Sequence, residues 1–203
     1  MKAIVLHQYG GPEVLKFEDY PDPVPGPGEV LVRVAAASVN PIDYKRRAGL
    51  TKDFYPMHFP GLIGVDVAGT VVEIGPGVEG FSVGDRVFAM ADDTYAELCV
   101  VKAAVLAKIP EGLDLIRAAA LPLATVTGNQ LSSATGIKAA QTVLVVGAVG
   151  SVGRSAALAS LGKAQWRTSA LQCDSGRETG RGHAGLGTGD RCAGRQHCAG
   201  YGS

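Results

Sequence analysis

The sequence predicts a mixed α/β protein in three parts: an antiparallel β-barrel-type domain over residues 1–122, the beginning of a parallel α/β domain over 123–160, and a disordered tail over 161–203. In the first part, short runs rich in Val, Ile and Leu alternate with Gly and Pro, which is typical of antiparallel barrels. In the second, an unbroken β-branched run leads into a glycine loop, as in parallel sheets. The third contains no Val, Ile or Phe and holds ten of the 28 glycines, so it cannot bury enough apolar surface to offset the entropy of ordering it.

The chain begins with two predicted strands, Ala3–Leu6 and Val14–Glu18, which flank the turn signal Gly10-Gly11-Pro12. A loop follows at Pro21–Gly28, because four prolines in eight residues cannot join a hydrogen-bonded ladder. A third strand is predicted at Val30–Ala36.

A short helix is predicted at Asp43–Ala48, closed by Gly49, since a glycine commonly ends a helix. Three more strands follow at Val65–Ile74, Arg86–Ala89 and Tyr95–Val101, separated by Gly- and Pro-containing turns.

The pattern then changes to longer apolar segments. Leu113–Leu131 is rich in Ala and Leu and is interrupted at Pro122, which predicts two helical pieces. Thr142–Val146 is apolar and β-branched throughout, as expected of a strand buried on both faces of a parallel sheet. Arg154–Ala159 is predicted to be helical.

Between the predicted strand and helix lies the loop Gly147-x-x-Gly150-x-x-Gly153. Glycines there let the backbone turn sharply and approach a pyrophosphate, to which the N–H groups at the start of the following helix are offered. The candidate cofactor-binding residues of the loop include Ser151 and Val152 besides the three glycines. Strand, glycine loop and helix in that order begin a dinucleotide-binding domain. A plain glycine-rich βα turn without a ligand is the alternative.

Composition excludes several classes of function. Lys plus Arg equals Asp plus Glu at 19 each, so there is no electrostatic reason to expect a nucleic acid or an anionic membrane as partner. No run reaches the ~20 apolar residues of a membrane-spanning helix, and the first residues do not form a signal peptide. The four cysteines do not form a secreted disulfide framework. We expect a cytoplasmic protein.

Five stretches together resemble the medium-chain dehydrogenase/reductase superfamily, in its zinc-independent quinone oxidoreductase (zeta-crystallin-like) branch. They are MKAIVLHQYGGPEVLKFED, PGPGEVLVRVAAASVNPIDYKRRAG, FPGLIGVDVAGTVVEIGPGVEGFSVGDRVFA, LPLATVTG and VLVVGAVGSVGRSA, which follow the family's order over about residues 1–159. The resemblance implies a GroES-like catalytic domain followed by a Rossmann domain. It further implies NADPH as cofactor and a small-molecule quinone or α,β-unsaturated carbonyl as substrate, reduced by hydride transfer; a homo-oligomer is left open.

The same resemblance argues against zinc. Zinc-dependent members carry Cys where this chain has Asn40, Gly-His-Glu where it has Gly64-Val65-Asp66, and a further Cys at Leu123. Catalytic zinc needs three N, S or O ligands, and neither Val65 nor Leu123 can ligate. We expect no metal, and we expect Asp66 to be a structural acceptor for nearby backbone groups.

Site residues are implied by position in the family. Asn40 is expected beside the nicotinamide and the substrate, and Thr127 near the carboxamide. Asp43 and Tyr44 are expected to line the same neighbourhood as hydrogen-bond donors or as residues that order water. Purely structural alternatives are a turn-forming side chain at Asn40 and a helix cap at Asp43.

The resemblance ends at about residue 159, where we expect the chain to be truncated or frame-shifted relative to the family; a designed tail or a natural low-complexity extension is the alternative. The residue that distinguishes NAD from NADP lies ~20 residues beyond the glycines, where no second strand can be read. The second hypothesis for function is therefore a catalytically inactive remnant, a folded barrel domain that neither binds NADPH tightly nor reduces quinones. Zinc binding by the tail is disfavoured, because the spacings of its cysteines and histidines fit no standard site: Cys173, His183, Cys192, His197 and Cys198.

Overall fold

The computed structural model of the protein describes residues 1–138 and 141–161. The chain divides into two compact units, Met1–Leu123 and Ala124–Ser203. The predicted tail, apart from Leu161, lies outside the described residues.

Eight strands and the first two helices build the first unit. In chain order they are β1 (Lys2–Leu6), β2 (Lys16–Asp19), β3 (Glu29–Ala36), α1 (Pro41–Arg47), β4 (Gly61–Leu62), β5 (Asp66–Ile74), β6 (Arg86–Met90), β7 (Leu98–Lys102), β8 (Leu106–Lys108) and α2 (Leu115–Ala119). The strands form a three-stranded sheet in the order β2-β1-β4 and a five-stranded sheet in the order β7-β3-β5-β6-β8. Every pairing is antiparallel, as the short strands and Gly/Pro turns predict.

The larger sheet encloses the main apolar core. Its inward residues alternate along β3 and β5, so that Val30, Val32, Val67 and Val71 are fully buried. Gly69 of β5 lies where the backbone of β3 comes closest, since a Cβ atom placed there would be 2.1 Å from the carbonyl oxygen of Arg33. The sheet therefore requires a glycine at this position.

Several predicted elements are confirmed with small shifts, and two strands were missed. The predicted strand Val14–Glu18 begins later, at Lys16, because Pro12–Val14 forms a short 3-10 turn. The strands β4 and β8 are two and three residues long, too short for an alternating pattern to show. Gly49 ends the first helix in the left-handed conformation, at φ 75°, as predicted.

The remaining helices are α3 (Pro122–Ala134), which begins in the first unit and continues into the second, and α4 (Ser151–Leu161). They pack closely at Gly128, where a Cβ atom would be 2.5 Å from the backbone nitrogen of Ala156. The hydroxyl groups of Ser160 and Ser132 are 3.2 Å apart at the same face.

The predicted strand at Thr142–Val146 is not a strand in the structure. In the part of the chain that is described, no other strand pairs with it, and Leu144 and Val146 are 79% and 88% exposed. An extended segment becomes a strand only when a neighbour accepts its backbone hydrogen bonds, so the apolar run alone does not make one here.

Candidate functional site

Asn40 lies between β3 and the first turn of α1, half-buried, with extended backbone at φ −121°. Its side-chain nitrogen Nδ2 donates to Asp66 Oδ2 at 2.9 Å and is 3.0 Å from Ser38 Oγ. Both hydrogen-bonding positions of the amide nitrogen are therefore directed at two neighbours inside the protein.

Asp66, the first residue of β5, is 1% exposed. Its Oδ2 accepts from the hydroxyl of Ser38 at 2.5 Å as well as from Asn40, and its Oδ1 accepts from the backbone N–H of Leu123 at 2.8 Å. A buried carboxylate must be hydrogen-bonded to be tolerated, and three donors satisfy this one. The prediction of Asp66 as an acceptor for backbone is confirmed at Leu123, and its two side-chain donors were not foreseen.

Asp43 occupies the third position of α1 and is 2% exposed. Its Oδ2 accepts from the backbone N–H of Asn40 at 2.7 Å and from the hydroxyl of Tyr95 at 2.8 Å. Burial raises the pKa of the Asp43 carboxyl above its usual value, because water no longer stabilises the charged form. The predicted helix Asp43–Ala48 begins two residues earlier, at Pro41, so the N-cap is Asn40 and not Asp43. Asp43 instead completes a capping box with Asn40 from the third helical position.

Tyr44 follows on the same helix and is 47% exposed. The first unit thus brings Asn40 and Asp43 into direct contact and places Tyr44 beside them with an accessible ring. In the second unit, Thr127 lies within α3 and is half-buried.

The glycine loop forms a tight turn at the start of α4. Gly147 has φ 76°, and its carbonyl oxygen accepts from the backbone N–H of Gly150 at 3.0 Å. A Cβ atom at Gly153 would lie 2.1 Å from the carbonyl oxygen of Gly147, so only glycine lets the loop pack against the first turn of the helix. Helix α4 begins at Ser151 and Val152, three residues earlier than the predicted Arg154, so the last part of the glycine loop belongs to the helix.

A second polar cluster, centred on Arg46, was missed by the sequence analysis. Arg46 is 5% exposed; its Nη1 donates to Asp92 Oδ1 at 3.1 Å, and its guanidinium lies 4.0 Å from the ring centre of Tyr55. The Tyr55 hydroxyl donates to the same carboxylate oxygen, and burial, followed by this bond, raises the pKa of Tyr55 to about 12. The one available signal was the spacing of Arg46 three residues after Asp43, which places both on the buried face of α1.

A cleft of about 300 Å³ opens beside this cluster. Its lining includes Arg46, His58, Asp92 and Asp93. Burial, followed by the neighbouring Asp92, raises the pKa of the Asp93 carboxyl.

At the three positions that the family resemblance associates with zinc ligands, this chain has an amide, a buried valine and a leucine: Asn40, Val65 and Leu123. Within residues 1–138 and 141–161, no three His, Cys, Asp or Glu side chains are grouped so as to hold a metal. The five cysteines and histidines of the tail lie outside those ranges. In the same ranges, no helix is long and apolar enough to cross a membrane.

The chain has relatives among known proteins. Residues 26–111 match the alcohol dehydrogenase GroES-like domain. The chain is 37% identical over 167 residues to a chloroplast envelope quinone oxidoreductase homolog of Arabidopsis thaliana, covering 77% of this chain and 51% of that protein. It is also 37% identical over 164 residues to an NADPH-dependent alkenal/one oxidoreductase of the same plant, covering 75% of this chain and 42% of the relative.

Among solved structures, the chain is similar to mycobacterial Rv1454c complexed with NADPH, with a TM-score of 0.69 and 40% identity, over 76% of this chain and 48% of that one. The chain therefore spans about half the length of the proteins it resembles.

Proposed function

We propose that the chain contributes the catalytic site of an NADPH-dependent, zinc-free reductase of quinones or α,β-unsaturated carbonyls. The proposal starts from the alcohol dehydrogenase GroES-like domain that the chain carries and from its relationship to the quinone oxidoreductases of the medium-chain dehydrogenase/reductase superfamily. The observation that carries the proposal is the amide of Asn40, bound at the head of α1 by Asp66 and Ser38. This is the position of a zinc-ligating cysteine in metal-dependent relatives.

The zinc-free part of the proposal rests on the chemistry of the side chains. Val65 and Leu123 have no donor atom, and the oxygens of Asp66 already accept three hydrogen bonds. A catalytic zinc ion needs three protein ligands and an open position, which these residues do not supply.

The residues fit a dinucleotide at two places. The backbone of Gly147, Gly150 and Gly153, with the first N–H groups of α4 at Ser151 and Val152, would hold the pyrophosphate, and Gly153 provides a close approach that a Cβ atom would block. The family resemblance assigns Asn40 to the nicotinamide and Thr127 to its carboxamide. Bound NADPH supplies the hydride.

The chain's own contribution is orientation and polarity. Asn40 fixes a hydrogen-bonding group at the site, and the half-exposed ring of Tyr44 offers an apolar face with a hydroxyl for a planar carbonyl substrate. Asp43, buried and with a raised pKa, holds the backbone of Asn40 in place and contacts the Tyr95 hydroxyl.

A second candidate is a folded barrel domain without a working cofactor site. The exposure of Leu144 and Val146, just before the glycine loop, favours it, because among the described residues no strand pairs with this segment and a loop attached to such a segment is weakly held. Isothermal titration with NADPH, together with a quinone-dependent loss of NADPH absorbance, separates the two. Saturable binding with turnover supports the reductase, and heat no larger than dilution without turnover supports the second candidate.

A further inference from the structure

The buried carboxylate of Asp66 lies next to the proposed site but does not reach the surface that a ligand would contact. It is 1% exposed, so it cannot contact a substrate or a cofactor. Its effect on any ligand must pass through a neighbour, and the neighbour at the site is Asn40, 2.9 Å away.

An asparagine side chain can present either its amide nitrogen or its carbonyl oxygen to a ligand, because rotation by 180° about the last bond exchanges them. A carboxylate is only an acceptor. Asp66 therefore attracts the Asn40 nitrogen, and the hydroxyl of Ser38, which donates its own proton to Asp66 at 2.5 Å, offers its lone pairs to the same nitrogen at 3.0 Å.

This arrangement determines what Asn40 can offer. Both N–H bonds of the Asn40 side chain are directed at Ser38 and Asp66, so its side-chain oxygen is the group left for a ligand. One lone pair of this oxygen takes part in the capping box at the start of α1, and the second lone pair is available to the ligand. Asn40 is thereby an acceptor and suits a hydroxyl or an amide N–H of the ligand.

We propose that Asp66 is a positioning residue that fixes the orientation of the Asn40 amide and so makes the site select hydrogen-bond donors on the cofactor. The inference rests on the proposed function in one respect, namely that the donor belongs to the nicotinamide half of NADPH. The other oxygen of Asp66 binds the backbone of Leu123 in the first turn of α3, so the same carboxylate also stabilises the start of that helix.

Side-chain amide NMR tests the inference directly, because the chain contains only two asparagines, Asn40 and Asn129. Labelling with ¹⁵N-asparagine gives two NH₂ pairs, and the pair that disappears in an Asn129→Gln variant belongs to the exposed reference. In the wild-type chain we expect the Asn40 pair to exchange with water at least ~10-fold more slowly than the Asn129 pair.

Three substitutions separate positioning from general stability. Asp66→Ala is expected to remove the protection of both Asn40 protons, whereas Ser38→Ala removes it from one only. The matched control is Asp43→Ala, which deletes a buried carboxylate bound to the backbone N–H of Asn40 rather than to its side chain, and it should leave the protection within about twofold.

Addition of NADPH distinguishes a failure of the inference from a failure of the proposed function. A saturable shift of the Asn40 pair, with an affinity lowered about tenfold in Asp66→Ala, supports both. Protection that disappears in Asp66→Ala without any NADPH shift in the wild type upholds the positioning and overturns the NADPH assignment. Protection that survives both Asp66→Ala and Ser38→Ala overturns the inference whatever NADPH does.

Discussion

Replacement of Gly69 by alanine is expected to destabilise the first unit severely. The new Cβ atom would lie 2.1 Å from the carbonyl oxygen of Arg33 and 2.7 Å from Cγ1 of Val32, whereas carbon and oxygen normally approach to about 3.3 Å. Strands β3 and β5 would have to separate locally by more than about 1 Å. Two ladder hydrogen bonds at about 1 kcal/mol each and about 1–3 kcal/mol of overpacking give a loss of about 3–5 kcal/mol, which is large against a typical stability of about 5–15 kcal/mol.

Urea denaturation followed by far-UV circular dichroism measures the loss. Gly26→Ala is the matched control, because a Cβ atom there would meet only the flexible carboxylate of Glu29, at 3.3 Å; we expect it to change the free energy of unfolding by less than about 0.5 kcal/mol. A Gly69→Ala variant as stable as Gly26→Ala would refute the reasoning about the close approach of the two strands.

Three further predictions concern the site. Burial raises the pKa of the Asp43 carboxyl above its ordinary value of 3.8, so the folded state holds this proton more tightly and the group's contribution to stability falls as the pH rises above about 4. In urea titrations, Asp43→Asn should therefore gain stability relative to wild type as the pH is raised above about 4. A difference in stability that does not change with pH would contradict this. Cys99 is 3% exposed, and burial raises the pKa of its thiol to about 12. Alkylation of the native protein at pH 8, followed by peptide mass spectrometry, should therefore leave Cys99 unmodified until the protein is denatured. Rapid labelling of the native protein would contradict this and show that the core opens. Gly153→Ala should weaken NADPH binding at least tenfold, because its Cβ atom would lie 2.1 Å from the carbonyl oxygen of Gly147; an unchanged affinity in calorimetry would contradict the packing assigned to Gly153.

The strands of the first unit could be predicted from sequence because their signals are local. Strand β3 was predicted at Val30–Ala36 and begins one residue earlier, and the predicted strand at Val65–Ile74 is β5 from Asp66. Alternating apolar residues and flanking Gly/Pro turns are properties of consecutive residues. Strand β8 escaped because three residues carry no such pattern, and its existence depends on pairing with β6.

The segment before the glycine loop, Thr142–Val146, shows where prediction from local sequence signals fails. Its β-branched run indicates burial, but a strand also needs a partner, and partnership is not a local property. For the same reason the site could be predicted only in part. The positions of Asn40 and Asp43 followed from resemblance to a family, whereas the pairing of Asn40 with Asp66, 26 residues later, and of Arg46 with Asp92, 46 residues later, arises only when the sheet closes.

Titration of NADPH into the metal-depleted chain tests the central claim, a nicotinamide site in which zinc has no part, most directly. After dialysis against a chelator, calorimetry should detect weak but saturable binding of NADPH, with the same affinity when zinc is added back. We expect weak rather than tight binding because the described part of the second unit offers the glycine loop without a paired strand. Few contacts then offset the loss of translational and rotational freedom on binding, which costs on the order of 4–15 kcal/mol. No saturable heat at millimolar NADPH, or binding that appears only with zinc, would contradict the account.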